Sequence, residues 1–108
     1  MKEDITLKYI HISLFFLKDP ATAAQVCEAL ELVPGEEPKV LNSQVGLCRA
    51  DPHPHPGAPA FAHVSQVLTY ASEEDMMAYP KSAAHQHLLE RIVPLVDHVI
   101  VAEYPIDE

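Results

Sequence analysis

The segment Lys8–Leu17, KYIHISLFFL, has the composition of a strand with no polar side. Successive side chains point to opposite faces of a strand. One face would carry Ile10, Ile12, Leu14 and Phe16, and the other His11, Ser13, Phe15 and Leu17. A strand wetted on one side alternates apolar with polar residues, so this one is expected to be buried on both. Whatever this chain folds into must therefore cover two faces of a sheet.

The remaining sequence supplies one cover. Asp19-Pro20 reads as a helix start, with Asp as cap and Pro at the first helical position. The predicted helix Ala21–Leu32 carries Ala23, Val26, Cys27, Leu30 and Val33 on one stripe, and Pro34-Gly35 is expected to end it. After a turn at Glu36–Pro38 comes a second strand, Lys39–Cys48, with Gly46 as a candidate bulge. The prolines and glycine of Arg49–Pro59 exclude helix and sheet, so that stretch is a loop. Phe61–Tyr70 alternates as a third strand. Ser72 opens a short helix that stops before Pro80; its acidic first turn, Glu73-Glu74-Asp75, suits the helix dipole.

Ser82 caps a longer helix, whose stripe holds Ala84, His85, Leu88, Leu89, Ile92, Leu95 and Val96. Gln86, Glu90 and Arg91 take its other side, and Pro94 lies near its end. The last strand, His98–Tyr104, contains the unbroken apolar run Val99-Ile100-Val101-Ala102 and is expected to be buried.

The order β-α-β-β-α-β is the ferredoxin-like arrangement: an α+β domain with helices on one face of a four-stranded antiparallel sheet. A chain of 108 residues is one domain. Two helical segments cover one face only. The second is expected to pack on the same face of another copy, a homodimer with Ile10, Ile12, Leu14 and Phe16 near the contact.

A net charge of −9 with seven Lys and Arg offers no basic stripe for nucleic acid or an anionic membrane. The N-terminal apolar run is too short to span a bilayer and lacks a signal-peptide pattern. Cys27 and Cys48 have no CxxC partner and read as reduced thiols, so a cytoplasmic protein is expected. No phosphate loop or nucleophile elbow is present, and no cofactor is expected.

Candidate chemistry rests on histidines. Period two sets His11 with Ser13 and Phe15, and His63 with Ser65 and Val67. The first and third strands are neighbours in this arrangement, so His85 above them would complete an imidazole cluster. Leu88 and Leu89 on the same helix, with Phe15, Ser13 and Ser65 on the sheet, would line a ligand pocket. An imidazole titrates near neutrality and suits general acid–base work. A neutral His85 could take a proton next to a carbonyl, with Tyr79 or His11 hydrogen-bonding the enolate. The alternative is that each histidine is a satisfied core residue. In the loop, Asp51-x-His53-x-His55 could bind a metal, but further ligands are not evident, so none is expected there. His87 and His98 read as surface or partly buried.

The ending AYPKSAAHQHLLERIVPLVDHVIVAEY resembles that of the stress-responsive A/B barrel (Dabb) proteins. The start YIHISLFFLKD and the segment AFAHVSQVLTYASEEDMMAY are similar to that family's first strand and to its third strand with the following helix. The resemblance spans about residues 9–104. It implies a dimeric α/β barrel with a cavity between each sheet and its helices, in a family whose members mostly lack an established activity. It also implies a possible chemistry, because one plant member, olivetolic acid cyclase, closes a polyketide thioester in that cavity. On that resemblance His11, His63, His85 and Tyr79 match pocket residues, whereas the place of a second pocket tyrosine falls near Leu30. Two readings follow: a binding protein for a small apolar or carbonyl ligand, or a cofactor-independent cyclase or isomerase with His85 as its base.

Overall fold

The computed structural model describes residues 7–50, 52–57 and 61–107. Strand β1 (Leu7–Leu17) is followed by a 3-10 turn at Pro20–Thr22, helix α1 (Ala23–Glu31) and a single-turn helix α2 (Val33–Glu36). Strands β2 (Val40–Leu47) and β3 (Val64–Tyr70) come next. Helix α3 (Glu73–Ala78), a 3-10 turn at Tyr79–Lys81 and helix α4 (Ala83–Ile92) lead through a turn at Val93–Leu95 into β4 (Val96–Asp107). The strands form one antiparallel sheet in the order β2-β3-β1-β4, the ferredoxin-like topology.

Local chemistry explains the helix starts. The Asp19 carboxylate accepts from Ala21 N–H at 3.0 Å, Ser72 Oγ from Asp75 N–H at 3.1 Å and Ser82 Oγ from His85 N–H at 3.1 Å. Each cap satisfies a donor that the first helical turn leaves unpaired. Ser82 has a second duty, since its hydroxyl donates to Tyr79 O at 2.7 Å and ties the turn to the helix. Ser82→Ala should therefore lower stability by about 1 kcal/mol in urea unfolding.

The helices bury Val26 and Leu30 of α1, Val33 of α2 and Ala84, Leu88 and Ile92 of α4 against Val64, Leu68 and Tyr70 of β3 and Phe15 and Leu17 of β1. Gln66 is 1% exposed in this core, and its amide donates to Leu30 O at 3.0 Å. That bond closes a buried polar group and links β3 to the end of α1.

Several sequence expectations are corrected. Pro34-Gly35 does not stop the helical path: Pro34 stands in the first turn of α2, where a missing N–H costs nothing. Gly46 lies in register opposite Ser65, and the irregularity of β2 falls between Val40 and Asn42. The third strand begins at Val64 rather than Phe61. The last strand is not buried within one chain: Val99, Ile100 and Val101 are 45%, 51% and 49% exposed. β4 is an edge strand, and the helices pack mainly over β2, β3 and β1.

One face of β1 is turned to the helices, with His11, Ser13, Phe15 and Leu17 all buried. The opposite face, carrying Ile10, Ile12, Leu14 and Phe16 with Val67, Ile100 and Tyr104 of the flanking strands, has no helix over it among the described residues, although Ile10 is already buried within the single chain. Among the described residues no helix is long and apolar enough to cross a membrane.

Candidate functional site

A cavity of about 270 Å³ lies between the helix-side face of β1 and β4 and the underside of α4. Its floor is His11, Ser13 and Phe15 of β1, with Gln66 of β3 and Val99, Val101 and Glu103 of β4. Its roof is Tyr79, Pro80, His85, Leu88, Leu89 and Ile92. Register explains the floor: His11 pairs with Glu103, Ser13 with Val101 and Phe15 with Val99. Directly paired residues of an antiparallel ladder share a face.

Three aromatic rings form the polar end. Tyr79 meets His11 edge-on at 5.7 Å between centroids and His85 edge-on at 5.0 Å. His85 is the third residue of the Ser82-capped helix, placed by that cap over the floor. Burial, with repulsion from His11 whenever that ring is protonated as the second cause, holds the His85 imidazole below the ordinary histidine range. It is thus kept in its neutral form. Tyr79 is 2% exposed, and its hydroxyl has no hydrogen-bond partner among the described residues. Burial, reinforced by the Glu37 carboxylate, pushes its pKa up to about 12, so it stays a proton donor.

His11 is held more tightly than the sequence suggested. Its Nδ1 lies 2.6 Å from Glu103 Oε2 and its Nε2 lies 3.1 Å from Ser13 Oγ. With Nδ1–H donating to the carboxylate, the neutral ring presents Nε2 as the acceptor for the Ser13 hydroxyl.

The cavity brings together His11, Ser13, Phe15, Tyr79, His85, Leu88 and Leu89. Two expected members are not there. Ser65 pairs with Leu14, which puts it on the outer face. Period two and the family resemblance both set His63 with His11, but the register sets Leu68 opposite His11 and Gln66 opposite Ser13. His63 stands before β3; its Nδ1 accepts from Leu17 N–H at 2.9 Å and its own N–H donates to Phe15 O at 2.9 Å. These bonds tie the end of β1 to the residue that precedes β3.

Glu103 was missed because its only local signal is an acidic residue following an apolar strand; the long-range pairing with His11 gives it a role. His87 is paired with Glu36 at 3.4 Å, and His98 stacks on Phe16 at 4.2 Å. Of the loop motif, Asp51 lies outside the described residues. No group of metal-ligating side chains occurs among the described ones.

Residues 10–106 match the family model described as the stress responsive A/B barrel domain. Among solved structures, a dimeric ferredoxin-like protein of unknown function from Thermobifida fusca is 24% identical, with TM-score 0.69 over 94% of this chain and 92% of that one. A dimeric protein of unknown function from Bacteroides fragilis is 18% identical, with TM-score 0.70 over 92% and 96%. The hydroxynitrile lyase of Passiflora edulis is 17% identical, with TM-score 0.71 over 94% of each chain. Among curated proteins, none matches the sequence.

Proposed function

The chain belongs to the stress-responsive A/B barrel domain family, and we propose that it binds a small, largely apolar carbonyl compound in the cavity beneath α4. The observation that carries this reading is the pairing of apolar walls with one polar end. Phe15, Leu88, Val99 and Val101 would hold a hydrocarbon body, while the neutral His85 imidazole and the ring of Tyr79 bound it at the polar end. About 270 Å³ is just below the roughly 300–1,000 Å³ of pockets for drug-sized ligands, so the ligand is small. A carbonyl oxygen could accept from the N–H of the neutral His85 imidazole, which lines the cavity.

The test is a thermal-shift titration of the full chain with short-chain ketones and aldehydes, repeated on Leu88→Phe, which fills the cavity. Concentration-dependent stabilisation of the parent, weakened in the filled variant, is expected. Equal shifts in both, or none in either, would refute the cavity as the binding site.

A second reading is supported by the state of His85. A neutral imidazole lining the cavity is the base needed to remove a proton next to a carbonyl. On that reading the protein is a cofactor-independent cyclase or isomerase, with His85 as base. The Passiflora lyase indicates that this fold can carry an enzyme, and at 17% identity its chemistry is not transferred.

The same proposal includes assembly and setting. A second copy would cover the outer sheet face, as the dimeric state of the Thermobifida and Bacteroides proteins suggests. Burial of that face in a stable dimer would remove upwards of about 2,000 Å² from water. Ile12→Asp should give a monomer by sedimentation velocity; a dimer of undiminished affinity would move the contact elsewhere. The free thiols Cys27 and Cys48 suit a cytoplasmic location, and the charge of −9 argues against a nucleic-acid or anionic-membrane partner.

A further inference from the structure

Ser13, His11 and Glu103 form a hydrogen-bonded chain along the cavity floor. Ser13 Oγ lies 3.1 Å from His11 Nε2, and His11 Nδ1 lies 2.6 Å from Glu103 Oε2. All three side chains line the cavity. The order is hydroxyl, imidazole, carboxylate, with each ring nitrogen of His11 given to a different neighbour. A base within hydrogen-bond reach of a hydroxyl, oriented by a third group, is the geometry that makes a serine nucleophilic. From this arrangement we propose that Ser13 is an acyl-accepting nucleophile, activated by His11 and positioned through Glu103, and that the cavity takes a small neutral ester. This rests on the reading above that a carbonyl compound occupies the cavity.

The fold builds the chain from two strands. Ser13 follows His11 by two residues, so both point to the helix side of β1, and antiparallel register sets Glu103 directly across from His11. Neither the serine nor the histidine can turn away easily, because both are buried: Ser13 is 5% and His11 8% exposed. The Glu103 side chain is 37% exposed and lies at the sheet edge, toward water. A purely structural account would have these groups satisfy one another in a core. They are instead beside an open volume large enough for a ligand.

The step balances without a cofactor. Ser13 Oγ attacks the acyl carbon while its proton passes to His11 Nε2. The imidazolium is stabilised by the Glu103 carboxylate on Nδ1. The attack leaves an oxyanion on the former carbonyl oxygen. Collapse breaks the bond to the alcohol, which leaves with the proton from Nε2. Water then attacks the Ser13 acyl ester, its proton passing through Nε2 to Oγ, and the free acid departs. The Glu103 charge and the protein's net charge of −9 disfavour an anionic substrate and favour release of the anionic product.

The experiment uses the full chain and p-nitrophenyl butyrate. A burst of p-nitrophenolate is expected, with an intact-mass increase of one butyryl group in acid-quenched protein and peptide mapping of that group to Ser13. Ser13→Ala should abolish the adduct. Glu103→Gln should slow acylation by about 10²-fold or more, since it withdraws the group that orients the ring and balances its charge. Glu103→Asp should restore part of the rate, which a merely structural role for the side chain would not predict. An adduct on another residue, or its survival in Ser13→Ala, would overturn the proposal. A ketone-dependent thermal shift with no adduct would overturn the Ser13 role and leave the cavity reading standing. Absence of both shift and adduct would overturn the two together.

Discussion

Leu68→Ala is expected to destabilise the protein by about 2–5 kcal/mol. Leu68 is fully buried in the third strand, between partners on both sides: it pairs with His11 of β1 and Ser43 of β2. Its side chain points into the layer where α1, α4 and the sheet meet. Truncation removes the transfer free energy of the lost atoms and leaves a void that a sheet centre cannot collapse into. Urea unfolding followed by circular dichroism would measure the effect. A loss well under 1 kcal/mol would mean that the helical layer repacks more freely than its burial implies. The same substitution removes a neighbour of His11, so weaker ligand binding should accompany the loss of stability.

His85→Ala is expected to remove most of any enolising turnover, about 10²–10⁴-fold, the range a positioned base contributes. The fold should survive, because Ala84, Leu88 and Ile92 hold α4 while His85 is only partly buried. Burial, and repulsion from His11 whenever that ring is protonated, lower its pKa, so the base stays neutral to more acidic pH than a free histidine. The acid limb of the rate should therefore lie below about pH 6.5. The sign for stability follows. The unfolded chain protonates this imidazole before the folded one does, so acidification through about pH 6.5 should destabilise the parent relative to His85→Ala. At neutral pH and above, that contribution disappears. Urea melts of the two proteins at about pH 7.5 and about pH 5.5 would show it. Equal turnover in parent and variant would end the general-base role.

The two histidine systems of the cavity make separable demands. Proton abstraction loses its base in His85→Ala, whereas acyl transfer loses its nucleophile in Ser13→Ala. Comparing the two variants on a ketone and on an ester therefore assigns each chemistry to its own imidazole.

Much of the fold was written locally. Strand β1 announces itself by two apolar faces, and α4 by a stripe from Ala84 to Ile92 behind a serine cap. These are short-range properties, set by side-chain periodicity and by the unpaired donors of a first helical turn. They were enough to place four strands and two helical segments in order and to require a cover for the second sheet face. They were also enough to put His85 near the first strand, because the fold class fixes which elements are neighbours, while Tyr79 was added by the family resemblance.

What they could not decide is register. Period two says that His63 and Ser65 share a face, and nothing in the sequence says whether it is the face of His11. One residue of slip exchanges the two sides of a strand, and the ladder sets Gln66 rather than Ser65 opposite Ser13. Glu103 is separated from His11 by 92 residues, and only the pairing of β1 with β4 brings its carboxylate to Nδ1. The sequence by itself determined which elements form and which side chains each could offer. The tertiary structure alone decided which of those side chains meet, because strand pairing is a long-range choice made by the packing of the whole sheet.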